Sequence, residues 1–254
     1  MEQAGRIVAR CHEHVLSIIE PGMTTGQLDR EVEALIRDHE AEPAFLDYRG
    51  FPASICASIN EEIVHGIPSD ERVLKEGDIL SIDIGVEYQN YYGDAARTIP
   101  VGEVSEEAQD LMVDCKDALQ GAIDRLSEVS FLHEISQFVQ QYGEERGYSV
   151  VRDYVGHGIG REMHEDPQVP NFYDPDKHDD QIELKDGMVL ALEPMLNRGT
   201  YRTRKRDNDW TVVTDDGELS AHFEDTVAIT EEGIEIYTRI DNNGNSTYYQ
   251  SLLN

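Results

Sequence analysis

Two ten-residue segments of the chain, LKEGDILSID at 74–83 and LKDGMVLALE at 184–193, repeat one pattern at an offset of 110 residues. In each segment, Lys-acid-Gly predicts a turn, the apolar positions after it predict a strand, and a carboxylate ends the run. A pattern of ten residues can repeat by chance. The alternative is a domain of two similar halves, in which Asp83 and Glu193 meet near a pseudo-twofold axis. Two carboxylates so placed would suit a shared pair of metal ions.

The remaining sequence predicts one α+β domain over residues 1–239, followed by a polar tail at 240–254. Helical and strand periodicities alternate, no low-complexity linker divides them, and an acidic loop at 172–182 has no predicted role. Thr24 or Thr25 is the expected N-cap of the second helix. Helices are predicted at 2–19, 24–40, 105–127 and 131–146. Strands are predicted at 54–59, 79–87, 95–99, 149–155, 188–196, 210–214 and 221–229.

The chain is strongly acidic, with 52 Asp and Glu against 21 Lys and Arg, which gives a formal net charge of -31. We do not expect it to bind nucleic acid through a basic surface, because phosphate contacts need an excess of Lys and Arg. The basic cluster RTRKR at 202–206 is interpreted as a solvated loop. We hypothesise that the acidity adapts the surface to high salt, where screening relieves self-repulsion.

Thermal unfolding at increasing KCl concentration tests this hypothesis. Screening should raise the free energy of unfolding, and a gain of about 2 kcal/mol would raise Tm by roughly 4–8 °C in a chain of this size. A Tm that is indifferent to KCl would remove the hypothesis.

No segment of the sequence predicts export or membrane insertion. The longest apolar runs, MVLAL and TVAI, are far too short to cross a bilayer, and the N-terminus has no basic segment followed by an apolar one. The three cysteines, Cys11, Cys56 and Cys115, are widely spaced and odd in number. This pattern argues against a disulfide scaffold and against a CxxC zinc site, and it predicts a cytoplasmic protein.

Asp83 and Glu193 are each embedded in an apolar run, where a charged group is costly to desolvate unless it is paired or bound to a metal. Asp83 lies between Ile82 and Ile84, so in a strand its carboxylate faces the opposite side from these neighbours. Glu193 ends the run VLALE, and Pro194 is expected to end or bend that strand. Taken singly, each carboxylate is equally compatible with a structural salt bridge.

Two further carboxylates have the same ambiguity. Asp94, in YYGDAART, is interpreted on its own as a turn residue, because Gly93 lets the backbone bend. Glu224, in AHFEDTVAIT, is predicted to share one face of a strand with His222 and Thr226. The set of four carboxylates is more informative than any member.

The stretch GHGIGREMHEDPQ contains His157 and His164, seven residues apart. Its glycines at 156, 158 and 160 make a regular helix improbable, which excludes the HExxH zinc geometry for this pair. The two histidines therefore need not bind the same ion. Four carboxylates with one imidazole form a hard, oxygen-rich donor set, which suits two divalent ions better than a thiolate zinc site.

Other chemistries find little support in the sequence. There is no G-x-S-x-G elbow, no phosphate loop of the G-x-x-x-x-G-K-[ST] type and no G-x-G-x-x-G after a strand. Cys56 stays open as a thiol nucleophile, although nothing marks it as activated. His65, before a Gly-Ile-Pro turn, is by itself compatible with a structural role. The HEH triplet at 12–14 is interpreted as a solvated helix face.

Five blocks, taken together, resemble the type I methionine aminopeptidases. They are GFPASICASINEEIVHGIPS, GDILSIDIGV with YYGDAART, GHGIGREMHEDPQVPNF, GMVLALEPM and SAHFEDTVAIT. The resemblance runs in order from about residue 4 to residue 237. It implies the pita-bread α+β fold, with two pseudo-symmetric halves and a curved antiparallel sheet. This would explain the repeat at an offset of 110.

The resemblance implies a catalytic centre with two divalent metal ions (Co, Mn, Fe or Zn). Asp94 and Glu224 would bridge both ions. Asp83 would complete one ion and meet the free α-amine of the substrate, while His157 and Glu193 would complete the other. Glu193 is also the proton carrier that the family favours.

The family pattern also implies how the substrate is held. His164 would hydrogen-bond the scissile carbonyl or its oxyanion, and His65 would reach the peptide nitrogen. Asn60 and Ser220 match positions that help to hold a monovalent cation. The substrate would be the N-terminal Met of nascent polypeptides with a small second residue, with transient ribosome association and a monomeric enzyme as further expectations. The pocket for the methionine side chain would be lined by Tyr48, Phe51, Cys56, Met163 and Trp210.

Two residues depart from the family pattern. Relatives commonly carry Gln at the position of His222 and His at that of Asp225. His222 could support the metal ligands from behind or act as an extra ligand. Asp225 is expected to add negative charge beside the site.

Two other functions stay open at this point. The first is a metallopeptidase of the prolidase or aminopeptidase P kind, which acts on X-Pro bonds. Such relatives usually carry an additional N-terminal domain, for which 254 residues are expected to leave no room. The second is a catalytically silent binding module, although such proteins generally lose metal ligands.

Overall fold

The computed structural model describes residues 1–176 and 182–240, so part of the acidic loop and almost all of the polar tail lie outside the described residues. The four predicted helices are confirmed, with every bound within two residues of the prediction. Within the described ranges, no helix combines the length and apolarity that crossing a membrane requires. The helices are α1 Glu2–Ile18, α2 Thr25–Asp38, α3 Glu106–Arg125 and α4 Leu132–Glu145.

Side-chain caps explain where two of these helices begin. Thr24 caps α2: its Oγ1 accepts a 3.1 Å hydrogen bond from the Gln27 N–H, and the Gln27 side chain accepts one of 2.8 Å from the Thr24 N–H. This reciprocal capping box satisfies two backbone donors at once. Ser105 caps α3 by accepting from the Ala108 N–H.

The strands of the described residues form four antiparallel sheets. The first strands are β1 Glu42–Pro43, β2 Cys56–Ile59, β3 Glu62–Val64, β4 Ile79–Tyr88, β5 Tyr91–Pro100, β6 Ser149–Val150, β7 Gly156–Gly158 and β8 Glu165–Val169. The others are β9 Val189–Leu192, β10 Met195–Asn197, β11 Thr203–Lys205, β12 Val212–Thr214, β13 Ser220–His222, β14 Asp225–Thr230 and β15 Gly233–Ile236. The strand orders in the four sheets are β1-β4-β2 with β5 on β4, β13-β10-β6, β11-β12-β3 and β15-β14-β9-β7-β8.

Each region predicted as a strand contains at least one strand, but several predicted lengths are too long. The strand predicted at 149–155 is limited to the two residues of β6. The prediction that RTRKR is a loop is wrong, because three of its residues form β11 and pair with β12, although four of its five residues are exposed as expected. Its last residue, Arg206, makes an ion pair of 2.9 Å with the buried Glu62. Backbone pairing and this carboxylate therefore hold the segment in place.

The two repeated segments fold alike, which is the first evidence for two similar halves. Gly77 and Gly187 occupy the same turn position with φ of 89° and 90°, a left-handed conformation that favours glycine. The Gly77 N–H donates to Val101 O at 2.9 Å, and the Gly187 N–H donates to Ile229 O at 2.8 Å. This hydrogen bond ties the turn to the end of β5 in the first half and to β14 in the second half.

The helices obey the same symmetry. Leu74, just before the first turn, donates its N–H to Met23 O beside the start of α2. Leu184, just before the second turn, donates its N–H to Ser130 O beside the start of α4. Each half therefore consists of a helix pair that is tied to the same kind of turn and strand.

The hairpin of β4 and β5 places two carboxylates on one face. Its two-residue turn, Gln89 and Asn90, has φ of 52° and 63°, which matches the twist of antiparallel strands. Asp83 pairs with Ala96, and Asp94 pairs with Gly85, so the two carboxylates are diagonal neighbours across the ladder. The spacing of eleven residues brings them together because a tight hairpin lies between them.

The interpretation of Asp94 as a turn residue is wrong, because β5 begins at Tyr91 and Asp94 lies within it. Gly93 does not serve as a bend. A Cβ atom at Gly93 would lie 2.7 Å from the backbone nitrogen of Gly5, so the missing side chain lets β5 approach α1 closely. Glycine is required at this position because of the close packing of β5 against α1, and not because of a turn.

Hydrogen bonds join β5 to the other half of the domain. The Asp94 N–H donates to Thr226 Oγ1 at 3.0 Å, and that hydroxyl donates to Asp94 O at 2.8 Å. The Glu224 N–H donates to Ala96 O at 2.9 Å. These contacts bring Asp94 and Glu224 together, although 130 residues of chain separate them.

The strands predicted at 188–196 and 221–229 are each interrupted at their carboxylate. The first breaks at Glu193 and Pro194, as the proline predicts, and the second breaks at Phe223 and Glu224. At the second break the Phe223 N–H turns to Pro194 O, while the next N–H turns to Ala96. The prediction of one continuous strand through 221–229 is therefore wrong.

The interpretation of HEH at 12–14 as a solvated face is wrong for His12. This side chain is buried, and its Nε2 donates to Ala95 O at 2.9 Å. Burial is the main cause that lowers the pKa of His12 to about 3, so the imidazole is neutral at pH 7. His12 ties α1 to β5 next to Asp94.

Candidate metal centre

Five predicted ligands converge where the two halves meet. One ligand atom each of Asp94, His157 and Glu224 lies within 4.8 Å of the other two, and all three residues are buried. Asp83 reaches the cluster from β4, and Glu193 reaches it from the break after β9. His157 and Glu193 approach within 3.8 Å, measured from Nε2 to Oε1.

Burial and mutual repulsion oppose ionisation of the clustered carboxylates in the absence of a cation. Burial, followed by mutual repulsion, raises the pKa of Asp83 and of Glu224 well above the ordinary value. Burial raises the pKa of Asp94 to about 7, although hydrogen bonding to Asp83 opposes this. Asp83 Oδ1, Asp94 Oδ1 and Glu224 Oε1 are buried without a hydrogen-bond partner. Such atoms fit divalent cations, which take carboxylate oxygens and satisfy them electrostatically.

His157 is held in the form that binds a metal. Its Nδ1 lies 2.9 Å from Gly158 O, and because a carbonyl can only accept, Nδ1 carries the proton and Nε2 keeps its lone pair. Burial lowers the pKa of His157, which favours the neutral ring. The flanking glycines belong to strand β7 rather than to an irregular turn. A Cβ atom at Gly156 would overlap Ala191 O of the neighbouring strand β9.

Asp225 does not add free negative charge beside the site, and that expectation is wrong. Its Oδ1 pairs with Arg97, and its Oδ2 accepts from Arg239 at 2.8 and 3.1 Å. Thr238 donates a further bond of 2.7 Å. These two guanidinium groups and the hydroxyl hold the pKa of Asp225 below its ordinary value in spite of complete burial. The aspartate is a structural ion pair that fixes the segment after Glu224.

A pocket opens from the carboxylate cluster, and all five residues predicted to hold the methionine side chain line it. Phe51 and Trp210 meet edge to face, with ring centroids 5.1 Å apart. Cys56 faces Asp83 across the ladder. Burial and the carboxylates raise the pKa of Cys56, so the thiol is protonated and is not an activated nucleophile.

Sequence reasoning missed five residues that line the same pocket, Phe45, Arg49, Val64, Tyr154 and Val155. Phe45 packs over Gly85, where a Cβ atom would lie 2.7 Å from the ring. The contact between Phe45 and Gly85 cannot be predicted from local sequence, because Phe45 lies in the loop after β1 and Gly85 lies in β4. Arg49 is exposed, and its guanidinium lies 5.2 Å from the centre of the Tyr48 ring.

His164 lies at the mouth of the pocket beside the metal ligand candidate His157, with ring centroids 4.3 Å apart. The Tyr48 hydroxyl lies 2.8 Å from His164 Nδ1. If this hydroxyl donates, His164 carries its proton on Nε2, where it can be donated to a substrate oxygen. Loss of solvent in the cleft, and then the neighbouring His157, lower the pKa of His164, which favours the neutral ring as donor.

His65 faces aromatic rings of the pocket. Its φ of 59° is left-handed, and its ring lies edge-on to Tyr154 and Trp210 at 5.7 and 6.2 Å. Burial lowers the pKa of His65 to about 4. His65 and His164 both line the pocket, and neither belongs to the group of Asp94, His157 and Glu224 whose ligand atoms lie close together.

Asn60 and Ser220 lie side by side, as the Ser220 N–H donates to Asn60 O at 3.0 Å. The Asn60 amide donates to Asp78 at 2.9 Å, and its Oδ1 accepts from the Ile79 N–H at 3.0 Å. The Ser220 hydroxyl is buried without a hydrogen-bond partner.

The model of metallopeptidase family M24 matches residues 1–231 of the chain. The chain belongs to metallopeptidase family M24. This membership bears out the prediction of divalent metal binding at the carboxylate cluster in its general form, and it makes the protein a metal-dependent hydrolase. The family predicted from the sequence is confirmed.

Similar proteins of this family extend over nearly the whole chain. The methionine aminopeptidase of Clostridium acetobutylicum is 52% identical over 238 residues, which cover 94% of each chain. Methionine aminopeptidase 1 of Bacillus subtilis is 48% identical and covers 94% of this chain and 95% of its own. The crystal structure of methionine aminopeptidase from Thermotoga maritima matches with a TM-score of 0.89 at 42% identity, over 94% and 95% of the two chains. The pita-bread class and the α+β assignment are confirmed by this likeness.

The X-Pro enzymes are more distant. The Xaa-Pro dipeptidase from Bacillus anthracis matches with a TM-score of 0.72 at 25% identity. The match covers 95% of this chain and 60% of that one. The two kinds of enzyme share the fold, and the identity is higher with the methionine aminopeptidases.

Proposed function

We propose that the protein is a methionine aminopeptidase, which removes the initiator Met from nascent polypeptides whose second residue is small. The observation that carries this proposal is a carboxylate and imidazole cluster that lines one pocket together with aromatic and apolar side chains. Relatives that are 52% and 48% identical over 94% of the chain bear the same name. An exopeptidase needs such a cluster beside a side-chain pocket, because the cluster must meet the first residue of the peptide.

The proposed ligands would hold two divalent ions of Co, Mn, Fe or Zn. By the family resemblance, Asp94 and Glu224 would serve both ions, Asp83 would complete the first, and His157 and Glu193 would complete the second. The buried carboxylate oxygens without partners and the free Nε2 lone pair support this assignment. When bound, such a pair of ions polarises the scissile carbonyl and lowers the pKa of water.

Three residues of the chain would handle the protons. Glu193, whose carboxylate oxygens face His157 and His222 in the pocket, would accept a proton from the attacking water and pass it on. His164 donates from Nε2 to the carbonyl oxygen as negative charge develops there. His65 meets the peptide nitrogen and assists departure of the new amine. Their positions around one pocket support these roles.

The pocket would select methionine by its shape and chemistry. Phe51, Trp210 and Met163 offer an apolar lining in which a thioether makes favourable contacts with aromatic rings. Asp83 would meet the free α-amine, which a blocked or internal residue lacks. The same site therefore reads both the side chain and the chain end.

Further proposals follow from the family resemblance. A monovalent cation near Asn60 and Ser220 is supported by the buried hydroxyl of Ser220. Cysteines that are free and buried, Cys11, Cys56 and Cys115, support a cytoplasmic setting. We also propose a monomer that associates transiently with the ribosome, where its substrates emerge.

Peptide cleavage distinguishes this function from that of an X-Pro peptidase. We expect the metal-loaded protein to cleave Met-Ala-Ser at least about 100-fold faster, in kcat/KM, than an X-Pro dipeptide, because the pocket selects the first side chain. Met-Leu-Ser, which differs only in the size of the second residue, is the matched control and should be cleaved slowly. Preference for the X-Pro dipeptide would reject the proposal, and cleavage of neither would favour a binding module.

A further inference from the structure

His222 presents an unpartnered ring nitrogen to the carboxylate cluster. The residue is 2% exposed, and its Nε2 has no hydrogen-bond partner. It lines the same pocket as the five proposed ligands. An unpaired polar atom at such depth is costly, so it calls for a ligand or a role.

The backbone of His222 is firmly fixed. The His222 N–H donates to Thr98 Oγ1 at 2.8 Å, and that hydroxyl donates to His222 O at 2.9 Å. His222 also pairs with Met195 in the ladder of β13 and β10. The ring therefore points into the cluster because the strand holds it there.

The distances from His222 Nε2 to the nearest carboxylate oxygens are too long for hydrogen bonds. They are closer to the separation of two ligand atoms that bind the same metal ion. Nε2 lies 3.7 Å from Glu193 Oε2 and 3.9 Å from Glu224 Oε2, whereas a hydrogen bond would need about 2.9 Å. Two ligand atoms at about 2.1 Å from one ion are separated by roughly 3 to 3.4 Å. The proposed ligand pair of His157 and Glu193 has the same spacing, 3.8 Å.

Glu193 shows the arrangement most clearly. Its two oxygens each face a different imidazole, Oε1 facing His157 and Oε2 facing His222. One of these imidazoles is already a proposed ligand. The other imidazole, that of His222, lies at a similar distance from the Glu193 carboxylate and is the more deeply buried of the two.

We propose that His222 is a further metal ligand, which gives this centre a second imidazole beside the four carboxylates. The inference rests on the proposed metal centre and goes beyond its five assigned ligands. Added imidazole favours Co, Fe and Zn over Mn, which prefers oxygen donors. The site would therefore bind the first three more tightly than a carboxylate site with one histidine does.

Proton NMR of the Co(II)-loaded protein counts coordinated histidines. Each histidine that binds through Nε2 keeps one Nδ1–H, which gives a strongly shifted, exchangeable resonance. We expect two such resonances in the wild type, one in His222→Gln, and two in His164→Gln, the matched control. A single resonance in the wild type, or two in His222→Gln, would overturn the proposal.

Metal binding provides the second readout. The Kd for Co(II) should rise more than about 100-fold in His222→Gln, beyond the 10- to 100-fold that loss of a supporting residue costs, and the rise for Mn(II) should be smaller. Equal losses for both metals would contradict direct ligation. If His222→Gln does not fold, the resonance count in the wild type, with ring-¹⁵N histidine, still decides. Met-Ala-Ser cleavage is measured separately, so two coordinated histidines without cleavage would reject the proposed function alone.

Discussion

Replacing Asp94 by asparagine is expected to lower kcat/KM for Met-Ala-Ser at least about a thousandfold and to reduce the metal content of the purified protein. The carboxylate is assigned to both ions, and Lewis-acid assistance is worth several kcal/mol, at 1.36 kcal/mol for each factor of ten. The Asp94 N–H and carbonyl oxygen both bond to the Thr226 hydroxyl, so the asparagine side chain should keep the position of the carboxylate. Activity and metal analysis on the same preparation measure both effects.

The same substitution should stabilise the metal-free protein. Asp94 has its pKa raised to about 7 in the folded state, so its contribution to stability is present at low pH and is lost as the pH rises from about 4 to 7. Asp94→Asn removes this loss, and after chelation its Tm at pH 7 should exceed that of the wild type. Asp110→Asn, an exposed carboxylate of α3, is the control for net charge. A lower Tm for chelated Asp94→Asn than for this control would contradict the account of the cluster.

His164→Ala is expected to lower kcat about 10²- to 10³-fold with the metal content preserved. The reason is the loss of a donor to the developing oxyanion, which costs this much in other hydrolases. The residue lines the pocket beside His157 and is not one of the proposed ligands. Steady-state kinetics and metal analysis on one preparation measure the two quantities.

Tyr48→Phe is the matched control for His164→Ala, because it keeps the ring and removes only the hydroxyl that lies 2.8 Å from His164 Nδ1. Its loss in kcat should be smaller, since the imidazole keeps its place beside the substrate. Loss of metal in His164→Ala would show that the role assigned to this histidine is wrong.

Local patterns carried much of the fold. The repeated Lys-acid-Gly turn predicts two halves because a left-handed glycine, a strand and a carboxylate follow one another directly in the sequence. Asp83 could be placed on one face from its neighbours Ile82 and Ile84, which are both fully buried. The helices were equally accessible, since periodicity and caps are local.

What the sequence could not reveal depends on partners far away in the chain. Asp225 was expected to add charge, and nothing near it shows that Arg97 and Arg239 neutralise it. His12 was expected to be solvated, because its acceptor, Ala95 O, lies 83 residues away. The roles of the individual ligands stay predictions, since they concern ions rather than backbone geometry.

The central claim is that bound metal ions make this chain cleave an N-terminal methionine. The most direct test is to remove all metal with a chelator, add back Co, Mn, Fe or Zn in turn, and follow cleavage of Met-Ala-Ser. We expect no cleavage by the metal-free protein and a return of activity that tracks the ions bound. Cleavage that persists in fully metal-free protein, or a fully loaded protein that leaves Met-Ala-Ser intact, would contradict the claim.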